Sequence, residues 1–366
     1  MKHCRVEVDL RALAANVDAL RNALAPGTEI LFVVKADAYG HGLVPVARCA
    51  YARGVRWFAV VALERALQLR QALPQARILL LGVSDPDDLE QLVGERITPI
   101  IADADHALEL GRAAAAARLR PEVHLKIDTG MGRMGIPWDR ALDLPARGLR
   151  SLKVTGLCSH FASADPAQAS ASRSQVRRFK LVARSLEEQF RRRLMKHMAN
   201  SGAVLRGPLW DYDAVRTGLL LYGYPPVAPR RSVPVAPLLQ WKAHIVHIKR
   251  LPAGAPVGYD ATCRMKRAGD IGIVNAGYAD GYPRALSNRG RVLVGGRPRR
   301  VLGRVSMNWI AVDLGSHHGI QRGAEAVLLG RQQEAEQWAD SLARRARTIP
   351  YGILTGIHPA VPRHYT

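Results

Sequence analysis

The chain has 366 residues, 48% hydrophobic and 23% charged, an ordinary composition for a folded protein with room for two domains. Its net charge of +22 lies largely in arginine runs such as Arg191-Arg192-Arg193 and Arg297-Pro298-Arg299-Arg300. These lack interleaved aromatics or zinc-finger spacing, so they read as solvated surface and no specific nucleic-acid partner is expected. Cys4, Cys49, Cys158 and Cys263 are scattered without CxxC or histidine-rich spacing, which argues against a disulfide framework and a metal site.

Taken in chain order, Met1 to Leu10 alternates charged and apolar residues and lacks a signal-peptide core, and no apolar run is long enough to span a bilayer. A cytoplasmic protein with no membrane partner is expected. Arg5–Leu10 is strand-like and could pair with a second domain. From Leu31 to about Tyr222 short apolar runs alternate with helical stretches. The expected strands are Ile30–Val34, Trp57–Val61, Ile78–Gly82, Ile97–Ile101, Val123–Ile127, Val154–Ser159, Leu194–Ala199 and Ala214–Arg216, the last two being the weakest. Leu63–Ala72, Ala107–Ala117 and Gln175–Phe190 are helical between them. Strands alternating with helices imply parallel βα units, and eight such units close a (β/α)8 barrel. Pro225-Pro226, Pro229, Pro234 and Pro237 then interrupt regular structure as a connection would. Beyond them Leu239, Trp241, Ala243 and Ile245 alternate with polar neighbours, Val292–Gly296 enters a turn, and Val301–Val312 is strand-like but broken at Gly303. A helix is expected near Glu334–Ala346. The fold class is thus α/β: an N-terminal strand over 1–10, a (β/α)8 barrel over 11–232, and a mostly β domain over 233–366.

In such a barrel the chemistry gathers at the carboxyl ends of the strands. Lys35 follows the first, within Val33-Val34-Lys35-Ala36-Asp37-Ala38-Tyr39-Gly40-His41-Gly42. A lone lysine there reads as a surface residue. A desolvated one, however, loses its charge, and a neutral amine forms a Schiff base with an aldehyde. Lys126, Asp128 and Arg133 surround the end of the fifth strand, His160 follows the sixth, Asn200 and Ser201 the seventh, and Arg216, Thr217 and Gly218 the eighth. Each has a plainer reading: Arg133 as surface, His160 as a core histidine, Asn200-Ser201 as a helix N-cap. Capping and anion binding are compatible, because a helix start presents free N–H groups.

These blocks resemble the alanine racemases, which bind pyridoxal 5′-phosphate. The resemblance rests on Val33–Gly42, Leu125–Gly135 (LKIDTGMGRMG), Ser159–Asp165, His197–Gly202, Val215–Gly223, Gly277–Arg284 (GYADGYPR), Arg304–Asn308 (RVSMN) and a degenerate tail at Tyr351–Arg363. It implies a homodimer with shared active sites acting on a small amino acid. Lys35 would hold the cofactor and serve as one acid–base group; Tyr259 of the partner subunit would be the other. Tyr39, Asn200, Ser201, Gly218 and Leu219 would bind the cofactor together with His160, and Arg216 would face its ring nitrogen. Arg133 and Met307 of the partner subunit would bind substrate. Lys126 stands where many relatives carry an N-carboxylated lysine, and Arg284, Arg304, Asn308 and Pro359 line the entrance. Asn308 and Pro359 depart from the usual aspartate and tyrosine, so a more open pocket is expected. The alternatives are a broader-specificity or serine racemase of the same family and a non-catalytic cofactor-binding protein.

Overall fold

The computed structural model describes residues 4–144, 149–163, 169–316 and 319–366. They form two compact units: Leu13–Ala38 with Leu43–Ala236, and residues up to Ala12 with Tyr39–Gly42 and Pro237–Thr366.

The first unit is a closed parallel barrel. Its strands are β1 (Glu29–Val33), β2 (Trp57–Val60), β3 (Arg77–Leu80), β4 (Ile97–Ile101), β5 (Glu122–Asp128), β6 (Lys153–Cys158), β7 (Met195–Asn200) and β8 (Ala214–Thr217). The hydrogen-bonded order runs β4-β3-β2-β1-β8-β7-β6-β5, and β4 pairs again with β5 to close the ring. The expected (β/α)8 architecture is present. These strands are apolar on both faces because helices cover the outside while side chains fill the inside; all four residues of β2 are buried. Helix Ala104–Ala116 starts where Asp103 accepts the His106 N–H at 2.6 Å. Helix Ala169–Phe190 buries Phe179, Val182 and Leu186. Residues Ala164 and Asp165 of the Ser159–Asp165 block lie outside the described residues.

The second unit is mostly β. Its strands β9 (Leu239–Leu251), β10 (Gly269–Val274), β11 (Arg291–Val294), β12 (Arg297–Leu302), β13 (Ile310–Gly315) and β14 (Glu325–Gln332) pair in the order β14-β11-β12-β13-β10-β9, with β14 also on β9. Strand Arg5–Val8 joins antiparallel to β9 and parallel to Arg363–Tyr365. Trp241 and Tyr282 are fully buried, their rings 6.2 Å apart. The expected break at Gly303 is present: Val301–Val312 is two strands, because Gly303 takes φ 71° and diverts the chain into a loop carrying Arg304 to Trp309. One expectation shifts here. The expected helix over Glu334–Ala346 begins only at Ala339, since Ala335–Gln337 pairs with β14. Buried Gln337 holds that edge by donating to the carbonyls of Arg291 and Leu328 at 2.6 and 2.8 Å. Among the described residues no helix is long and apolar enough to cross a membrane.

Candidate active site

The carboxyl end of the barrel gathers four cations. Lys35 leaves the end of β1, which is supported from below: the Phe32 and Tyr222 rings lie 5.3 Å apart, and the Tyr222 hydroxyl donates to the Val33 carbonyl at 3.3 Å. After Lys35 the chain makes a left-handed turn, with Ala36, Asp37, Ala38 and Tyr39 all between φ 51° and 54°. Such a conformation costs about 1–2 kcal/mol per residue for a side chain with a Cβ. Asp37 offsets part of this by accepting the Leu43 N–H at 2.9 Å, and strain of this kind concentrates at functional sites. The Lys35 amine has no hydrogen-bond or ion-pair partner among the described residues. Desolvation, and then the charge of Arg133, hold its pKa below the usual lysine value although the side chain retains surface access.

Arg133 is delivered by a loop tied to Asp128. The Asp128 carboxylate accepts the N–H groups of Gly130, Met131 and Gly132 at 2.8, 2.8 and 2.9 Å. Gly135 has φ 125°, and a Cβ there would lie 2.7 Å from the Asp128 nitrogen, so only glycine closes this loop. Thr129 Oγ1 and Ser159 Oγ are 2.8 Å apart, and Gln175 donates to Thr129 Oγ1 and to the His160 carbonyl at 3.2 and 3.0 Å. Arg178 donates to the Thr129 carbonyl at 2.9 Å. Asp128 was expected at this strand end, whereas Gln175 and Arg178 were not among the expected residues, because the register of helix Ala169–Phe190 against the β6 end has no local signature.

Arg216 is 6% exposed and engages its neighbours with both Nη atoms. Nη1 donates to the His197 carbonyl at 2.7 Å and lies 2.9 Å from His197 Nδ1; Nη2 donates to the Ser159 carbonyl at 2.5 Å and reaches His160 Nδ1 at 3.1 Å. A guanidinium can only donate, so both histidines accept at Nδ1 and carry their proton on Nε2. Burial, followed by the charges of Arg216, Arg133, Lys126 and Lys35, pushes His160 down to about 3. The Nε–H of Arg216 has no acceptor among the described residues. Lys126 is likewise unpaired; burial lowers its pKa, Arg216 and Arg133 add to that, and Cys158 and Asp128 oppose it.

Asn200 caps the short turn Ser201–Val204 by accepting the Ala203 N–H at 2.9 Å, the plainer of its two expected roles. Ser201 Oγ sits 3.1 and 3.4 Å from the N–H groups of Gly218 and Leu220, and Thr217 Oγ1 is buried with no partner. Leu219 lies in the following turn, its carbonyl accepting from Tyr222 and Tyr224. An anionic ligand bearing an aldehyde would find here an unpaired amine, an unused guanidinium N–H, the orphaned Thr217 hydroxyl, and cations that no carboxylate contacts among the described residues.

The second unit holds the other expected residues. Tyr39 lies against Tyr351 with ring centroids 5.8 Å apart, and burial raises the pKa of its phenol. Tyr259 is 68% exposed, in a turn that follows Gly258 at φ 73°. Arg304 Nε donates to Asp260 at 2.7 Å beside it. Met307 is 55% and Trp309 57% exposed. The loop bearing them is fixed where Ala279 N–H donates to the Met307 carbonyl at 2.9 Å. Asn308 and Arg284 are exposed, and the Arg284 guanidinium has no partner among the described residues. Pro359 is exposed, its carbonyl accepting from Arg363 at 3.0 Å.

Comparison with known proteins covers nearly all of this chain. Residues 8–226 match the alanine racemase N-terminal domain model and residues 238–365 the alanine racemase C-terminal domain model. The alanine racemase of Syntrophobacter fumaroxidans is 40% identical over 371 residues, spanning 98% of this chain and 96% of that one. The crystal structure of alanine racemase from D-cycloserine-producing Streptomyces lavendulae superposes with a TM-score of 0.91 at 36% identity, covering 100% of this chain and 97% of that one. A Bartonella henselae alanine racemase with covalently bound pyridoxal phosphate superposes at 0.91 with 29% identity, each chain fully covered.

Proposed function

The chain belongs to the alanine racemase family, and from that membership we propose that it interconverts L-alanine and D-alanine with pyridoxal 5′-phosphate as its cofactor. The observation that carries the reading is the unpaired Lys35 amine at the end of β1, its pKa lowered, in a ring of cations awaiting an anionic ligand. The cofactor supplies an aldehyde for that amine and an electron-withdrawing ring that acidifies the substrate α-hydrogen.

Tyr39, Ser201, Gly218 and Leu219 would bind the cofactor phosphate, with Asn200 fixing the turn that presents Ser201. Arg216 would hold the ring nitrogen; because a guanidinium cannot surrender a proton, it would leave that nitrogen unprotonated and moderate electron withdrawal. This suits a reaction that returns the proton and breaks no carbon–carbon bond. Lys35 takes or gives the α-proton on one face, and Tyr259 of the partner subunit does so on the other; two bases on opposite faces serve both directions. His160, neutral with its proton on Nε2, donates to the Tyr259 oxygen of the partner and stabilises its phenolate. Arg133 and the backbone N–H of Met307 of the partner subunit hold the substrate carboxylate. The exposure of Tyr259, Met307 and Trp309 supports a homodimer, since an isolated chain would leave them against water.

Lys126 carries an N-carboxyl group in this reading. Its uncharged Nζ bonds the carbon of CO2 and releases a proton, giving an anion between Arg133 and Arg216. Carbon-13 NMR in labelled bicarbonate shows a carbamate resonance that disappears in Lys126→Ala; its absence from the wild type removes the assignment. Asn308 and Pro359 leave the substrate entrance wider, so serine is racemised alongside alanine, and strict alanine activity across an amino-acid panel would refute this.

The reaction itself is tested by incubating L-alanine with the holoenzyme in deuterated water, followed by chiral analysis. D-alanine carrying deuterium at the α-carbon is expected. Cofactor bound with no α-exchange would sink the proposal.

A further inference from the structure

We propose that the amino end of the barrel is a binding site for a small phosphate-bearing polyanion. A cavity of about 460 Å³ opens there, at the starts of the strands and opposite the end that carries Lys35. Trp57, Arg77, Arg96, His124, Lys153 and Arg192 line it. Its one carboxylate is Glu122, already engaged by Lys153 at 2.6 Å. Arg70 at its edge is 8% exposed and donates to four carbonyls, those of Pro74, Ala76, Glu95 and Arg96, with no carboxylate hydrogen-bonded to it among the described residues. Arg77 stands over the Trp57 ring, 5.4 Å from its centroid, and neither Arg77 nor Arg192 has an ion-pair partner among the described residues. Cations crowded in a concave wall focus field on whatever anion enters.

Surplus arginine on a basic surface would produce charge, but it would not produce buried donors without acceptors on residues that line the cavity. Here there are two. Trp57 is 5% exposed, and its Nε1–H, which can only donate, has no acceptor among the described residues. His124 is 1% exposed and its ring lies 5.6 Å from that of Trp57. Its Nδ1 is 2.8 Å from His197 Nε2, which carries the His197 proton because His197 Nδ1 accepts from Arg216. His124 therefore accepts at Nδ1 and carries its own proton on Nε2, a second N–H without an acceptor among the described residues. Gly156 makes this possible: a Cβ there would stand 2.6 Å from the His124 ring. Fixed N–H donors inside a cationic rim suit the several acceptor oxygens of a phosphate better than a lone carboxylate. Through His124 and His197 the cavity also abuts the pair that holds Arg216.

The test is isothermal titration of the holoenzyme with sodium pyrophosphate at ionic strength held constant with sodium chloride. Holoenzyme keeps the phosphate donors of the catalytic end engaged. Saturable binding near one per chain is expected, weakened about tenfold or more in Arg77→Gln with Arg192→Gln and severalfold in Trp57→Phe. Arg184→Gln, which lowers net charge elsewhere on the barrel, leaves it unchanged. The arginines are exposed, and thermal midpoints taken in parallel separate lost binding from lost folding. The proposal falls if the heat does not saturate, if Arg184→Gln weakens binding equally, or if binding survives all the lining substitutions. A short single-stranded oligonucleotide that displaces pyrophosphate at lower concentration would overturn it too, assigning the surface to nucleic acid.

Discussion

The carboxyl end of the barrel and the exposed loops of the second unit place functional groups by opposite means. Around Arg216 each group is fixed by several others: carbonyls of His197 and Ser159, ring nitrogens of His197 and His160, and Gln175 behind them. Met307 is tied through its backbone carbonyl, and the side chains of Tyr259 and Met307 are both exposed. The first arrangement is complete in one chain; the second makes sense as half of something. Substitutions in the two regions should therefore fail differently, in folding at the barrel end and in catalysis or assembly at the loops.

Lys35 is an instructive exception at the barrel end, since its amine has no partner among the described residues to lose. Lys35→Ala is expected to cut racemisation by at least about four orders of magnitude while the thermal midpoint of the cofactor-free protein stays where it was, as chiral assay and calorimetry would show. A midpoint that drops steeply would mean the amine is structural. Tyr259→Phe comes next, with a loss of about 10²- to 10⁴-fold in turnover and cofactor binding retained, read by absorbance. Retained turnover would remove Tyr259 from the proton path. Arg216→Ala should instead unfold more easily, by about 3 kcal/mol in urea titration, because it strands several buried acceptors. An unchanged midpoint would show that the network is held without it.

A further effect is one of pH. Burial, with Arg216 adding to it, pushes His124 down to about 3 from 6.5, and His160 behaves alike. Unfolded histidines take up protons below 6.5 that the folded ones refuse, so the unfolded state binds more protons and stability falls as pH drops from about 6.5 towards 3. Thermal midpoints across that range should decline, and His124→Asn should flatten the slope; an unaltered slope would mean that His124 is not among the groups responsible.

Most of the barrel could be read from the sequence because its strands are short apolar runs buried on both faces, as Trp57–Val60 illustrates. The eighth, Ala214–Thr217, was weak for a physical reason: half its residues are polar, and Arg216 is buried because it finds acceptors at His197 of the seventh strand and at Ser159 after the sixth. Lys35 stood out as a charge ending an apolar run. The left-handed turn behind it did not, since Ala36, Asp37 and Ala38 are residues that ordinarily avoid φ near 50° and only tertiary contacts hold them there. Gln175 was invisible for a related reason: a glutamine on a helix gives no sign that it will bind the Ala162 N–H and the His160 carbonyl. The late start of the helix at Ala339 follows from Gln337, whose two carbonyl contacts depend on strands far away in sequence.

The central claim is that Lys35 of one chain works with Tyr259 of another. It is tested most directly by co-expressing Lys35→Ala and Tyr259→Phe chains under different tags and purifying the mixed dimer. One of its two sites then combines an intact Lys35 with an intact partner Tyr259, so about half the wild-type rate should return from two inactive parents. A mixed dimer as inactive as either parent would contradict the account and place both groups within one chain.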